Sequence, residues 1–187
     1  MKNNYRHMKK LSMDELDRLS VEEYKSVEKS PLILVLDNVR SLNNVGSAFR
    51  TGDAFRIQKI YLCGITGKPP HREIQKTALG ATESVDWEYV SDTLELLRKL
   101  KNEGVQTVAL EQASQSVALH HFQPQPGTTY ALLFGNEVFG VDEKVVAEVD
   151  QVVEIPQLGT KHSFNISVSI GIALWDIAGK LRIFDGD

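Results

Sequence analysis

The chain has 187 residues, enough for one domain with a substantial core, and its 42% hydrophobic and 25% charged content is ordinary for a soluble globular protein. The single cysteine, Cys63, excludes an internal disulfide, and without a signal peptide or long apolar run the expected location is the cytoplasm. A net charge of −4 and a pI of about 5.8 argue against holding nucleic acid by bulk charge, leaving a local basic patch open.

Residues 1–10 (MKNNYRHMKK) carry Lys2, Arg6, Lys9 and Lys10 and little that can pack, so a basic arm is expected, either frayed or in contact with RNA. Residues 12–29 hold two capping boxes, Ser12 with Glu15 and Ser20 with Glu23, which predict one or two short charged helices before Pro31. The rhythm then changes. LILVL at 32–36 is a continuous apolar run of the kind found in buried parallel strands. A helix pattern covers 43–55 with Asn44 as candidate cap, and a strand follows at 59–63. After a loop at 64–72 come a short helix at 72–79, Gly80 and a strand at 85–90. Residues 91–101 form an amphipathic helix carrying Leu94, Leu97 and Leu100, closed by Gly104. Strands at 105–110, 130–134 and 151–155 are separated by a proline-containing loop at 119–128 and a short helix at 142–148.

The last long stretch, 155–175 (IPQLGTKHSFNISVSIGIALW), is turn-rich at first and then apolar, but interspersed with Ser163, Asn165, Ser167 and Ser169. Burying such groups without partners costs about 1–3 kcal/mol each, so they face a ligand or knit backbone. Phe164, Ile166, Val168, Ile170 and Ile172 alternate like a strand, whereas Ile166, Ile170, Ala173, Ile177 and Leu181 form a helical stripe. The run is too long for an ordinary strand, so a helix is expected, capped by Ser163 or Asn165. Its second apolar row, Ile172 and Trp175, calls for a further partner, a second copy of the chain.

Strands alternating with helices imply an α/β fold, a mostly parallel sheet flanked by helices, with ligands at the carboxyl ends of strands. Three loops fall there: 37–55 with Asn44, Gly46 and Arg50; 134–141 with Gly135, Asn136, Glu137 and Gly140; and the stretch from 155. Asn44 and Arg50, six residues apart, are expected on similar sides of their helix. There is no GxGxxG after a strand and no GxxxxGK[ST]. The five histidines lack zinc-type spacing, and no metal is expected. Each of the three loops has a purely structural reading as well, with Glu137 or the serines serving as caps. Their conjunction at one sheet edge favours function.

These loops resemble the SpoU/TrmH family of the SPOUT class, the knotted RNA 2′-O-ribose methyltransferases. The resemblance rests on NNVGSAFRT at 43–51, LLFGNEVFGV at 132–141 and IPQLGTKHSFNISVS at 155–169, in that order, with HREIQKTALGA at 71–81 beside them. It covers about 32–181. Phe164, Ile166 and Val138 depart from the residues usual there.

The resemblance implies a C-terminal trefoil knot at about 130–181, a structure otherwise nearly absent from proteins. It also implies S-adenosylmethionine bound in the knot and a homodimer. Residues 1–30 would form the arm and short helices, and 31–187 the methyltransferase domain, with no room at the N-terminus for a separate RNA-binding domain. Carried over by position, Arg50, Asn44, Glu137, Ser163 and Asn165 would be the catalytic set. Gly135, Ile155, Phe164, Leu110, Gly140 and Leu158 would contact the cofactor. Arg40, Arg50, Arg56, His71, Arg72 and Lys76 would contact RNA, with tRNA favoured over ribosomal RNA. Two other readings stay open: a non-catalytic RNA-binding protein of the same fold, and a doubly wound nucleotide-binding enzyme of other chemistry.

Overall fold

A computed structural model describes residues 9–12 and 14–186. Lys2 and Arg6 of the expected basic arm lie outside them, and Lys9 pairs with Glu15 at 2.8 Å. A 3₁₀ turn at Asp14–Leu16 and helix α1 at Val21–Ser26 precede the sheet. Both capping boxes form. The Ser12 and Ser20 amides donate to Glu15 and Glu23 at 2.8 and 2.7 Å, while the amides of those glutamates donate back to the serine hydroxyls.

The chain then runs β1 (Ser30–Asp37), α2 (Leu42–Ala54), β2 (Ile57–Cys63), α3 (Arg72–Ala78), α4 (Ala81–Ser84) and β3 (Trp87–Val90). It continues through α5 (Thr93–Asn102), β4 (Gln106–Leu110), β5 (Val117–Ala118), β6 (Tyr130–Phe134), α6 (Glu143–Glu148), β7 (Gln151–Glu154) and α7 (Ile166–Lys180). The strands form one seven-stranded sheet in the order β3-β2-β1-β6-β4-β7-β5, with parallel pairing between neighbours.

Strand alternation divides the core in two. Leu32, Leu34, Leu36, Leu132 and Phe134 face a layer containing α2, α3 and α7. Ile33, Val35, Ala131 and Leu133 face α5 and α6 through Leu96, Leu97, Leu100 and Val145. Both faces of β1 and β6 are covered, which is why their sequences read as continuous apolar runs.

Four expectations need correction. Asn44 does not cap α2. Ser41 does, its extended backbone placing its hydroxyl to accept from the Asn44 amide at 3.3 Å. The strand expected from 85 begins at Trp87, because 81–84 take up a short helix first. The buried row of α5 is Leu96, Leu97 and Leu100, with Leu94 only half-buried beside it. Ahead of the expected loop at 119–128, β5 adds a two-residue edge strand against β7.

The C-terminal stretch is a helix, as its length required. Asn165 caps it, its Oδ1 accepting from the Ser167 amide at 2.9 Å. The residues buried on α7 are Ile166, Ile170, Ala173, Leu174, Ile177 and Ala178, while Trp175 is 68% exposed. No helix among the described residues is long and apolar enough to cross a membrane.

Candidate active site

Parallel strands send all their carboxyl ends to one edge of the sheet, and β1, β6, β4 and β7 are successive neighbours. The segments that leave them, 38–41, 135–141, 111–112 and 155–165, therefore meet. Glu137 is the junction. Its carboxylate accepts from the Arg40 amide at 3.0 Å, the Ser41 amide at 2.9 Å and the Asn44 side-chain amide at 3.0 Å. The Asn44 Oδ1 in turn accepts from Asn165 Nδ2 at 3.3 Å, and Asn165 receives the Ser167 amide. One hydrogen-bonded chain thus ties the starts of α2 and α7 to the loop after β6.

Charge reinforces this junction. Burial pushes the Glu137 carboxyl up, but the Arg40 and Ser41 amides and Asn44 outweigh it and hold the group below the usual glutamate range. The carboxylate also lies at the N-terminus of α2, where the helix dipole favours negative charge. Asp37, at the end of β1, behaves oppositely. It is 1% exposed, and burial raises its carboxyl despite the hydrogen bond from Thr93.

The loop after β6 is itself closed. Asn136 and Gly140 exchange backbone hydrogen bonds at 2.9 and 2.8 Å. The Asn136 Oδ1 accepts from the Val138 and Phe139 amides at 2.9 and 3.2 Å, and its Nδ2 donates to the Asn38 carbonyl at 2.8 Å. Glycine is required twice here. Gly140 has φ +69°, and a Cβ on Gly135 would come within 2.3 Å of the Gly140 and Val141 backbone. Glu111 Oε2 accepts from the Val141 amide at 2.9 Å, and Gln112 Nε2 donates to the His162 carbonyl at 2.8 Å, anchoring the loops on either side.

These segments surround a cleft of about 520 Å³, within the usual size range for small-molecule sites. Leu110, Gly135, Gly140, Ile155 and Phe164 line it, as do Glu137, Ser163 and Asn165. Its charged carboxylates are Glu111, Glu137 and Glu154, and no Lys or Arg lines it, so its field suits a ligand with positive charge. Its wall is contributed largely by two loop segments, 134–140 and Glu154, Ile155 and Gln157.

Other expected site residues stand elsewhere. Leu158 is fully exposed and outside the lining. Asn44 sits one step behind the cleft, 9% exposed, and reaches it through Glu137 and Asn165. Arg50 does not share its side. At about 100° per residue, six residues turn the helix about 240°, which leaves Asn44 inside and Arg50 on the exposed surface. Arg56 lies at the opposite edge of the sheet, where its carbonyl accepts from the Ser30 amide at the start of β1. The reason is topological: α2 returns the chain to the amino ends of the strands. Arg40, His71, Arg72 and Lys76 are exposed, and His71 caps α3 by accepting from the Glu73 amide at 3.2 Å. Helix α3 lies against α2 at Gly46, where Thr77 donates to the Asn43 carbonyl at 3.0 Å.

Sequence reasoning missed Ser41, Glu111, Gln112 and the turn-forming role of Asn136. Ser41 had a legible signal, a hydroxyl ahead of a helical apolar pattern. Glu111 and Gln112 show only as the first polar residues after an apolar strand.

Comparison with known proteins agrees with this geometry. The model of the SpoU rRNA Methylase family matches residues 31–175. The chain is 29% identical over 150 residues to the 23S rRNA (guanosine-2'-O-)-methyltransferase RlmB of Neisseria meningitidis, covering 80% of this chain and 59% of that protein. It therefore spans well short of that relative's full length. Among solved structures it is similar to the A. aeolicus TrmH/SpoU tRNA modifying enzyme, with TM-score 0.77 and 29% identity over 89% of this chain and 82% of the other. It is also similar to an AdoMet-bound rRNA methyltransferase from Sinorhizobium meliloti, with TM-score 0.76 and 27% identity over 84% of this chain and 60% of that one. The matched span runs from β1 into α7 and includes all three hydrogen-bonded loops, so the chain belongs to the SpoU rRNA Methylase family.

Proposed function

We propose that the chain is an S-adenosylmethionine-dependent RNA methyltransferase acting on a ribose 2′-hydroxyl. The observation that carries this is the hydrogen-bonded chain from Ser41 through Glu137 and Asn44 to Asn165, which holds three loops around the cleft. The cleft suits the cofactor in size, and its carboxylates suit a sulfonium. Bound there, S-adenosylmethionine supplies an activated methyl group. Gly135, Gly140, Ile155 and Phe164 would hold it, mostly through main chain.

The protein's remaining task is to align the 2′ oxygen with that methyl group and let the hydroxyl proton leave. Arg50 is not the base, because a guanidinium stays protonated. Exposed on α2, it clamps the phosphate beside the target ribose and stabilises charge developing on the 2′ oxygen. Glu137 is not the base either, since three N–H donors occupy it. It positions the first turn of α2. Ser163 and Asn165, at the cleft, contact the substrate, and the proton passes to a phosphate oxygen or water.

Transfer RNA is the substrate class we favour, supported by the match over 82% of the A. aeolicus tRNA modifying enzyme. Ribosomal RNA is the second reading, favoured by the 29% identity to the 23S rRNA enzyme. Both would place the protein in the cytoplasm. The reading includes a homodimer through α7 and a knot formed as 155–165 crosses back over the ends of β4 and β6. The Gln112–His162 and Asn44–Asn165 contacts support that crossing.

The test is to incubate total RNA with protein and methyl-labelled cofactor, digest to nucleosides and analyse them by mass spectrometry. A label on ribose is expected. A label on a base, or none on RNA, overturns the reading.

A further inference from the structure

Resting on that reading, we infer that Phe139 is a stacking platform for a nucleobase of the RNA substrate, with Arg40 beside it to meet the adjoining phosphate. Phe139 is 84% exposed and Val138 67% exposed, at the tip of the turn that forms one rim of the cleft. An aromatic ring this open to water gains apolar burial when a flat partner covers it. Phe139 joins none of the ring pairs found among the described residues.

Hydrogen bonds fix the backbone that carries the ring. Asn136 binds the amides of both Val138 and Phe139, exchanges backbone hydrogen bonds with Gly140, and is tied to the Asn38 carbonyl. Glu137 is held by Arg40 and Ser41, and Val141 by Glu111. The ring is therefore presented on a rigid mount, and such a platform loses little freedom when a base stacks on it. The Arg40 amide touches the Glu137 carboxylate at 3.0 Å, so its exposed side chain leaves the main chain beside the same turn. An aromatic face and a cation on adjoining segments are the combination that single-stranded nucleic acid uses, with stacking for the base and charge for the phosphate.

A second copy of the chain is the competing occupant. The groove suited to one lies elsewhere, on α7, lined by Ile172 and Trp175 and not by Phe139.

The test compares Phe139→Ala, Phe139→Leu and Phe139→Trp in the full chain. Fluorescence anisotropy with end-labelled total tRNA measures RNA binding, calorimetry measures cofactor binding, and light scattering measures mass. Phe139→Ala should weaken RNA binding on the order of tenfold, Phe139→Leu should fail to restore it, and Phe139→Trp should restore it. Because Phe139 sits on the rim of the cofactor cleft, cofactor affinity should change less than RNA affinity in every variant, and mass should not change. Unchanged RNA affinity in Phe139→Ala, restoration by leucine, an equal loss of cofactor affinity, or a change of mass each overturns the inference. Because the readout is binding, it stands apart from the reaction. A wild-type protein that stacks RNA on Phe139 but methylates no ribose would sink the proposed function alone.

Discussion

Asn44 and Glu137 stand 93 positions apart in sequence, yet the Asn44 side-chain amide meets the Glu137 carboxylate at 3.0 Å. Through that contact the helix after β1 and the loop after β6 become one unit. The second Asn44 contact, to Asn165 at 3.3 Å, brings in α7 from 121 positions away. This edge of the sheet is thus held by side-chain amides and one carboxylate, while the apolar core lies beneath it.

Replacing Asn44 by alanine should therefore destabilise the whole chain. Asn44 is 9% exposed, and its loss takes away the acceptor of the Asn165 amide and one of the two hydrogen bonds to Glu137 Oε1, which keeps the Ser41 amide. The expected cost is about 1–3 kcal/mol. At this chain length that lowers the melting temperature by about 2–4 °C per kcal/mol. Differential scanning calorimetry decides it, and an unchanged melting temperature would remove Asn44 from the framework.

Glu137→Gln should alter the acid limb of stability. The folded-state carboxyl sits below its ordinary value: burial opposes this, and the Arg40 and Ser41 amides and Asn44 overcome it. The unfolded chain then binds the proton more readily, so this contribution is complete above the ordinary glutamate range and is lost as pH falls through the folded value. Wild type should lose stability into acid more steeply than the glutamine variant. Because the group is exposed at the surface, the difference is small, about 1 kcal/mol after screening. Urea titrations from neutral to acid pH would show it, and parallel curves would contradict it.

Gly46→Ala and Gly179→Ala should have opposite signs. Inside a helix alanine usually gains roughly 0.5–1 kcal/mol over glycine. A Cβ on Gly46 would meet Thr77 Oγ1 at 2.1 Å and the Ile74 carbonyl at 2.3 Å, closing the crossing of α2 and α3. Overpacking of that kind costs about 1–3 kcal/mol and wins. At Gly179 nothing lies within 4 Å, so the gain should appear. Denaturant midpoints of the two variants should move apart, and a stabilised Gly46→Ala would show that α3 can move aside.

What was legible in the sequence was whatever the chain repeats locally. The buried strands at 32–36 and 130–134 announced themselves as apolar runs because helices cover both faces of β1 and β6. The capping boxes at Ser12 and Ser20 span only four residues each and are legible as local patterns. Three kinds of feature escaped. Strand β5, of two residues, is too short to carry a period. The facing of Arg50 was misjudged because six residues of helix turn past the starting side. The Glu137 and Asn165 contacts join residues 93 and 121 apart, and no local rule encodes such pairs; the motif resemblance, not periodicity, marked those residues as a set. The knot too was implied by resemblance alone.

Trp175→Glu should convert a dimer into a monomer. Trp175 is 68% exposed on α7, and its described ring partner is Phe184 at 5.3 Å. With Ile172, Leu119 and Pro156 it borders an apolar groove that a second copy would cover. A carboxylate there would be desolvated without a partner. Light scattering of wild type should give twice the chain mass and of the variant the chain mass. A wild-type monomer would refute the interface.

Arg50→Ala should abolish methyl transfer while leaving fold and cofactor binding intact. Arg50 is exposed, and no hydrogen bond or ion pair engages its side chain among the described residues. Its removal should therefore change stability by no more than about 0.5 kcal/mol. It does not line the cleft, so cofactor affinity measured by calorimetry should match wild type. Single-turnover transfer to RNA should fall by about 100-fold or more, the usual consequence of losing a donor that faces developing charge. Arg50→Lys should not restore it, because a point charge cannot grip a phosphate in two places. RNA affinity of wild type should weaken steeply as salt is raised, and that slope should become shallower in Arg50→Ala by about one counterion. If Arg50→Ala turned over like wild type, the phosphate clamp would have to be sought among Arg40, His71, Arg72 and Lys76.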